Sequence, residues 1–301
     1  MNYQNVIDNQ SFDEERALYN IKNTLVQNCI FAGSQDGESV LKETRDIIVK
    51  DCQFSLRYPL WHAQYYELLN CHLDEFTRAP IWYSHHGIID KCQIEGIKIL
   101  RECSHTLISN CQIDSPEFGW YSHDITVKDS QINSEYIFLN TNRVKIDNLT
   151  FSGKYSFQYM HDLEIKNSYL DTKDAFWHSE NITVKDTVLK GEYLAWFSKN
   201  LTLINCKIIG TQPFCYCEGL KLINCQMIDT DLAFEYSDVE ADIQGHVDSI
   251  KNPKSGKIVV DSVGEIIYED AIMEVNGQIM IRNHMSNTCQ NQELKCVCQG
   301  G

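Results

Sequence analysis

The chain of 301 residues contains no run approaching eighteen apolar residues and no apolar stretch at its start. Neither a membrane-spanning helix nor a secretory signal is therefore expected, and a cytoplasmic location is. Basic residues are scarce, with 26 Lys and Arg against 42 Asp and Glu and a net charge of −16. That balance excludes the clustered cations that contact nucleic-acid phosphates, so neither nucleic acid nor a membrane is an expected partner. No glycine-rich phosphate loop is present, and no cofactor is expected. No segment keeps a convincing 3.6-residue apolar period, and β-branched residues dominate, which sets aside a helical repeat.

What is present is a period of nineteen residues. VQNCIF, VKDCQF, LLNCHL, IDKCQI, ISNCQI, VKDSQI, IDNLTF, IKNSYL, VKDTVL, INCKI and INCQM share one template. From Cys92 its small-residue slot recurs at Cys111, Ser130, Leu149, Ser168, Thr187, Cys206 and Cys225, and Cys29, Cys52 and Cys71 fit upstream with short insertions. Two apolar columns run through the repeats, one from Val26 to Leu222 and one from Phe31 to Met227. The slot before the small residue holds Asn or Asp almost throughout, from Asn28 to Asn224, with Lys91 the exception. Asn and Asp tolerate the left-handed backbone that turns a strand sharply. A second polar bend recurs near Asp124, Asp162, Asn181 and Asn200, and a third near Gly96, Gly153, Gly191 and Gly210. Three bends and three short strands per repeat predict one coil of a parallel β-helix, each coil burying its apolar side chains against the next. The expected architecture is an all-β, single-domain solenoid of about twelve coils over residues 5–245. The absence of six-residue sub-repeats favours the right-handed form. Residues 246–282 are expected to be cap strands covering the open edge, and 283–301 a disordered tail.

Thirteen cysteines suggest disulfides or metal, but seven of them share the inward slot with Ser, Thr and Leu. There cysteine acts as a small buried hydrophobe. No cysteine or histidine spacing matches a metal pattern, the tail group His284, Cys289, Cys296 and Cys298 included, so no metal site is expected.

The third strand of each coil is different. Its second slot holds Lys42, Trp61, Trp82, Arg101, Trp120, Leu139, Gln158, Trp177, Trp196, Cys215 and Phe234, which takes in all 5 tryptophans of the chain. Its third slot holds Glu43, His62, Tyr83, Glu102, Tyr121, Asn140, Tyr159, His178, Phe197, Tyr216 and Glu235. Two phases are open. With the Trp column facing in, Lys42 and Arg101 would be buried charges, which is expensive unless each is paired. The phase with Trp outward is preferred.

FDEERALYN (12–20), SLRYPLWH (55–62), SPEFGW (115–120), GKYSFQYM (153–160), DTKDAFWHS (171–179), GTQPFCYC (210–217) and FEYSDVEADIQGHVDSIKNPKSG (234–256) resemble a mainly bacterial β-helix family of unknown function. That family is similar to the wider pectin-lyase-like group of right-handed β-helices. The resemblance implies the fold and no activity. The calcium-binding Asp cluster and catalytic Arg of pectate lyases do not map onto this chain.

Three readings of the stripe follow. The first is a protein that binds a carbohydrate or related polyhydroxy ligand, with Trp61, Trp82, Tyr83, Trp120, Tyr121, Tyr159, Trp177, His178 and Trp196 as its contact residues. The second is a carbohydrate-active enzyme, a lyase or hydrolase, with Glu43, His62, Arg101 and Glu102 as catalytic candidates. Glu43 and Glu102 lie three coils apart, too far for a two-carboxylate glycosidase, so the expected acid–base pair is Glu43 with His62. The third is a homo-oligomer whose interface buries the stripe.

Overall fold

The computed structural model describes residues 4–34, 37–282 and the backbone of 294–296. The chain divides into two compact units, residues 1–154 and 155–301.

In the first unit the long strand of each coil stacks parallel on the next. Asn5–Asp8, Lys22–Gln27, Arg45–Lys50, Gln64–Leu69, His85–Asp90, Ser104–Ser109, His123–Ser134 and Asn142–Gly153 pair in sequence order. The register sets like on like, as in Ile89 opposite Ile108. A second ladder joins the two- and three-residue strands that follow, Phe31 pairing with Phe54 and Ile94 with Ile113. A third joins Leu60–Trp61 to Ile81–Trp82, and Lys98–Ile99 to Glu117–Phe118 to Tyr136–Ile137. Both apolar columns are buried, with Val26, Val49, Leu68 and Ile89 on one and Phe31, Phe54, Leu73 and Ile94 on the other.

The second unit repeats the scheme through His161–Lys166, Glu180–Lys185, Lys199–Ile204, Leu220–Ile228, Asp238–Lys251, Ser255–Ile267 and Gln278–Arg282, all parallel. The expected boundary at 245/246 falls inside Asp238–Lys251. Parallel pairing continues past it, so the two units together hold about 14 turns, against the dozen read from the sequence. Of the tail over 283–301, only the backbone of Leu294–Cys296 is described, and it pairs antiparallel with Met280–Arg282. Among the described residues no helix is long and apolar enough to cross a membrane. The ten described cysteines are buried free thiols, the inward slot among them. Burial pushes Cys103 up to about 12.

The Asn/Asp slot is a left-handed bend in each coil from Asn9 to Asn224. In the first unit Asn28, Asp51, Asn70, Lys91, Asn110, Asp129 and Asn148 have φ between 46° and 56°. Side-chain amides continue the ladder outside the backbone, as in Asn70 Nδ2 donating to Asp51 Oδ1 at 2.6 Å and Asn148 Nδ2 to Asp129 Oδ1 at 2.7 Å. At the third bend the coils approach so closely that a Cβ on Gly191 would fall 1.5 Å from the Thr172 carbonyl oxygen.

Asn205 tests this construction. Its φ is 53°, it donates to Asp186 Oδ1 at 2.9 Å, and it accepts from Asn224 Nδ2 at 3.0 Å. Asn205→Val places a β-branched residue in left-handed backbone and removes both bonds, and should lower stability by about 1–3 kcal/mol. Asn205→Gly keeps the bend and should lose less. Chemical denaturation of the two variants measures the difference, and equal midpoints would show that the bend conformation is not what the slot selects.

Candidate functional site

The Trp column faces outward. Its inner neighbours Leu41, Leu60, Ile81 and Leu100 are buried, as are Thr44, Ala63, Ser84 and Cys103 two residues beyond the tryptophan slot, while Trp61 and Trp82 are half-buried. Lys42 and Arg101 consequently avoid the core.

Stacking of coils one strand spacing apart then dictates how the rings meet. Trp61 and Trp82 lie face to face, 5.7 Å between centroids and 13° between planes. Lys42 Nζ covers the other face of this pair at 4.9 Å from Trp61, and the Arg101 guanidinium lies 5.5 Å from Trp82. In the second unit Trp177 and Trp196 stack at 5.4 Å and 5°. The sequence makes these tryptophans expected contact residues for a carbohydrate. Each stack covers one face of each ring, and with Lys42 and Arg101 over the outer faces Trp61 and Trp82 offer solvent chiefly their edges. Three indoles are also pinned by their N–H groups, Trp120 to the Tyr136 carbonyl at 2.8 Å, Trp177 to Tyr193 at 2.6 Å and Trp196 to Gln212 at 2.8 Å. Trp61 and Trp82 Nε1 have no hydrogen-bond partner among the described residues.

The catalytic candidates are held in specific ways. Arg101 also reaches the rings of Trp120 at 5.6 Å and Tyr121 at 5.5 Å. It pairs with Glu102 at 3.8 Å and with Glu117 at 3.6 Å, and Lys98 joins Glu117 at 3.7 Å. Arg101 and Glu102 thus neutralise each other and organise three rings. The Glu43–His62 pair expected from the sequence is not formed: among the described residues no ion pair joins them. The His62 ring turns instead toward the following coil, 5.2 Å from Tyr83, and lies 6.2 Å from Trp61.

The third slot carries the more accessible groups. Tyr121 is 45% exposed in the first unit, and in the second Tyr159 is 50% and Phe197 39% exposed. In the second unit they form a ladder: Tyr159 to His178 at 5.1 Å, His178 to Phe197 at 5.0 Å, Phe197 to Tyr216 at 4.8 Å and Tyr216 to Tyr236 at 5.4 Å. Tyr236, not Glu235, occupies this slot, because the coil from Cys217 to Ser237 is one residue longer than nineteen. Glu235 takes the Trp slot and pairs with Lys251 at 3.0 Å. Every residue of the column has left-handed backbone: Glu43, His62, Tyr83, Glu102, Tyr121 and Asn140 in one unit, and Tyr159, His178, Phe197, Tyr216 and Tyr236 in the other.

Sequence reasoning missed the groups just beyond this column in the first unit. His86, His105, Asp124 and Arg143 occupy a further left-handed slot, with φ of 58°, 51°, 56° and 53°. His85 pairs in register with Ser104, and Ser104 with His123. The signal in the sequence is histidine recurring at coil spacing, His86 and His105 nineteen residues apart, with Asp124 at the same bend. Tyr65, His86 and His105 stack in turn at 4.6 and 4.7 Å, each pair within 3° of parallel. His85 Nδ1 lies 2.8 Å from Ser104 Oγ. Burial, and then repulsion from His123, His86, His105 and His62, hold its imidazole below the ordinary range.

A base with a depressed folded-state pKa takes up fewer protons than the unfolded chain once pH drops below the unfolded value, roughly 6.5. Its contribution to stability is fully present above that value and is lost as pH falls through it toward the folded-state value. Denaturation midpoints should therefore decline on acidification below roughly 6.5, and His85→Gln should flatten part of the decline. Parallel pH profiles for the two proteins would remove His85 as a cause.

No curated protein matches the sequence. The family described as "Protein of unknown function (DUF3737)" matches residues 5–281, and the chain belongs to that family. Among solved structures, a tailspike protein of E. coli bacteriophage HK620 in complex with a hexasaccharide is similar over 87% of this chain and 62% of that one, with TM-score 0.50 and 8% identity. The chain therefore spans less than two thirds of the tailspike's length. The A-module of the Azotobacter vinelandii mannuronan C-5 epimerase AlgE6 is similar over 90% of this chain and 87% of that one, with TM-score 0.48 and 9% identity. The catalytic domain of an α-1,3-glucanase in complex with nigerose covers 91% of this chain and 63% of its own, with TM-score 0.36 and 11% identity. At such identities the likeness is one of fold, and the fold is the parallel β-helix.

Proposed function

We propose that the chain is a binding protein for a carbohydrate or related polyhydroxy chain, which it takes along the corner formed by His62, Tyr83, Glu102 and Tyr121 beside the edges of Trp61, Trp82 and Trp120. One observation carries this reading. The Asn/Asp bend and the third-slot column have the same left-handed backbone, yet Asn or Asp fills the first almost throughout while Glu, His, Tyr and Phe fill the second except at Asn140. A non-glycine residue there costs roughly 1–2 kcal/mol, and Asn lowers that by local hydrogen bonding. A stacked ring pair returns roughly 0.5–1.5 kcal/mol. The two are of similar size, so stability alone gives no reason to prefer exposed rings over Asn at these slots. Backbone strain kept in successive coils points to a use for the side chains.

The geometry suits an extended ligand. From Glu43 to Tyr121 the column presents a hydroxyl, imidazole or carboxylate once per coil, so a polymer lying along the coil axis meets a polar group at each step there. The similar tailspike fold is in complex with a hexasaccharide, which supports the scaffold's capacity for such a ligand. The enzyme reading is weaker, because Glu43 and His62 do not pair and Arg101 is engaged by Glu102 and Glu117.

Glycan-array screening of the full chain, followed by calorimetry, tests the proposal. His62→Asn and Tyr121→Asn relieve the backbone, so melting temperature should hold or rise while affinity for the captured glycan falls about tenfold or more, equivalent to roughly 1.4 kcal/mol. No captured glycan, or undiminished affinity in both variants, would overturn it. Loss of a native dimer in Tyr121→Asn without any glycan binding would favour the oligomer reading instead.

A further inference from the structure

We propose that His105, His123 and Asp124 form a binding site for one divalent transition-metal ion of the zinc, cobalt or nickel type, at the corner next to the ligand-binding column. The inference goes beyond glycan binding and does not depend on it.

The three residues each offer one ligand atom, and these atoms lie within 4.8 Å of one another. His123 Nδ1 is 2.8 Å from Asp124 Oδ2, and His105 Nδ1 is 3.8 Å from the same oxygen. Two imidazole nitrogens and a carboxylate oxygen therefore converge, and modest side-chain rotation would bring them to metal–ligand bonds of roughly 2.0–2.2 Å. Two nitrogens with one oxygen suit borderline ions better than calcium or magnesium, which prefer all-oxygen shells. Three protein ligands would leave positions for water or for a ligand oxygen.

The supporting shell is already built. Arg143 Nε donates to Asp124 Oδ1 at 2.7 Å, which turns Oδ2 toward both imidazoles. Arg143 Nη2 also lies 2.9 Å from Oδ2 and 3.3 Å from His123 Nδ1, so metal binding would displace both Nη2 contacts while keeping the Nε bond. His105 is fixed from the other side by its stack on His86, at 4.7 Å. The spacing explains why no linear metal pattern reveals the site: its ligands come from adjacent coils, His105 in one and His123 with Asp124 in the next.

Titration of the full chain with cobalt(II), followed by absorption and calorimetry, tests the assignment. One equivalent should bind with weak d–d bands and no thiolate-to-cobalt charge transfer. His105→Asn and Asp124→Asn both keep a residue that tolerates the left-handed bend, so the fold should survive. Each should weaken binding by at least about tenfold. Unchanged affinity in both variants, a charge-transfer band that assigns the metal to cysteine, or no binding at micromolar concentrations would each overturn the proposal.

Discussion

In-register parallel stacking governs this protein. Each side chain has as its nearest neighbours the residues of the same slot in the coils before and after it, one strand spacing away. Inside, this makes continuous apolar columns such as Val26, Val49, Leu68 and Ile89, and a thiol and hydroxyl column whose members donate to nearby carbonyls, as Cys52 Sγ does to Lys50 at 3.2 Å. Outside, it makes ladders of amides, rings and imidazoles. A residue cannot be chosen for its own sake alone, since its partners above and below are of the same column.

The same constraint explains why tryptophan here is not what an isolated surface tryptophan would be. An exposed indole on a loop offers a face. An indole in a stacked column gives its faces to its neighbours, and the ends of the Trp61–Trp82 pair are closed by Lys42 and Arg101. These cations sit on an otherwise acidic chain of net charge −16. Their place is set by the rings, at roughly 0.5–1 kcal/mol for each exposed cation–π contact. Chemical variety at the corner therefore rests on the third-slot column, whose backbone conformation directs side chains away from the sheet.

The fold was legible because its signal is periodic. The slot from Cys92 to Cys225 recurs every nineteen residues, and the Asn/Asp column marks the bend that the backbone shows. Legibility ended where coil length changed. Cys217 to Ser237 spans 20 residues, which displaced Glu235 by one slot. Asp238 pairs with Ser255, 17 residues on, and Lys257 with Gln278, 21 on, so a fixed period could not follow the strands beyond 245. Within the site, slot membership was legible and side-chain direction was not. Glu43 and His62 share a column, but which neighbour His62 turns to depends on whether Tyr83 or Glu43 offers the better contact, and the ring prevails.

The histidine corner shows the limit from the other side. Its members lie in two columns of adjacent coils, so in the linear chain His85, His86, His105 and His123 look like scattered residues in polar bends. Folding gathers them without any one of them needing an unusual local sequence. Left-handed backbone is the link, since it turns His86, His105, Asp124 and Arg143 out of the strand at the same point in successive coils. A slot that only had to bend could have kept Asn, as the second unit does at Asn181 and Asn200, where Asn200 Nδ2 donates to Asn181 Oδ1 at 3.1 Å. The two units thus fill one bend in two ways, a plain amide ladder in one and a set of imidazoles around an Arg-held carboxylate in the other. The bend is what the scaffold requires, and the side chains carried on it vary independently of it.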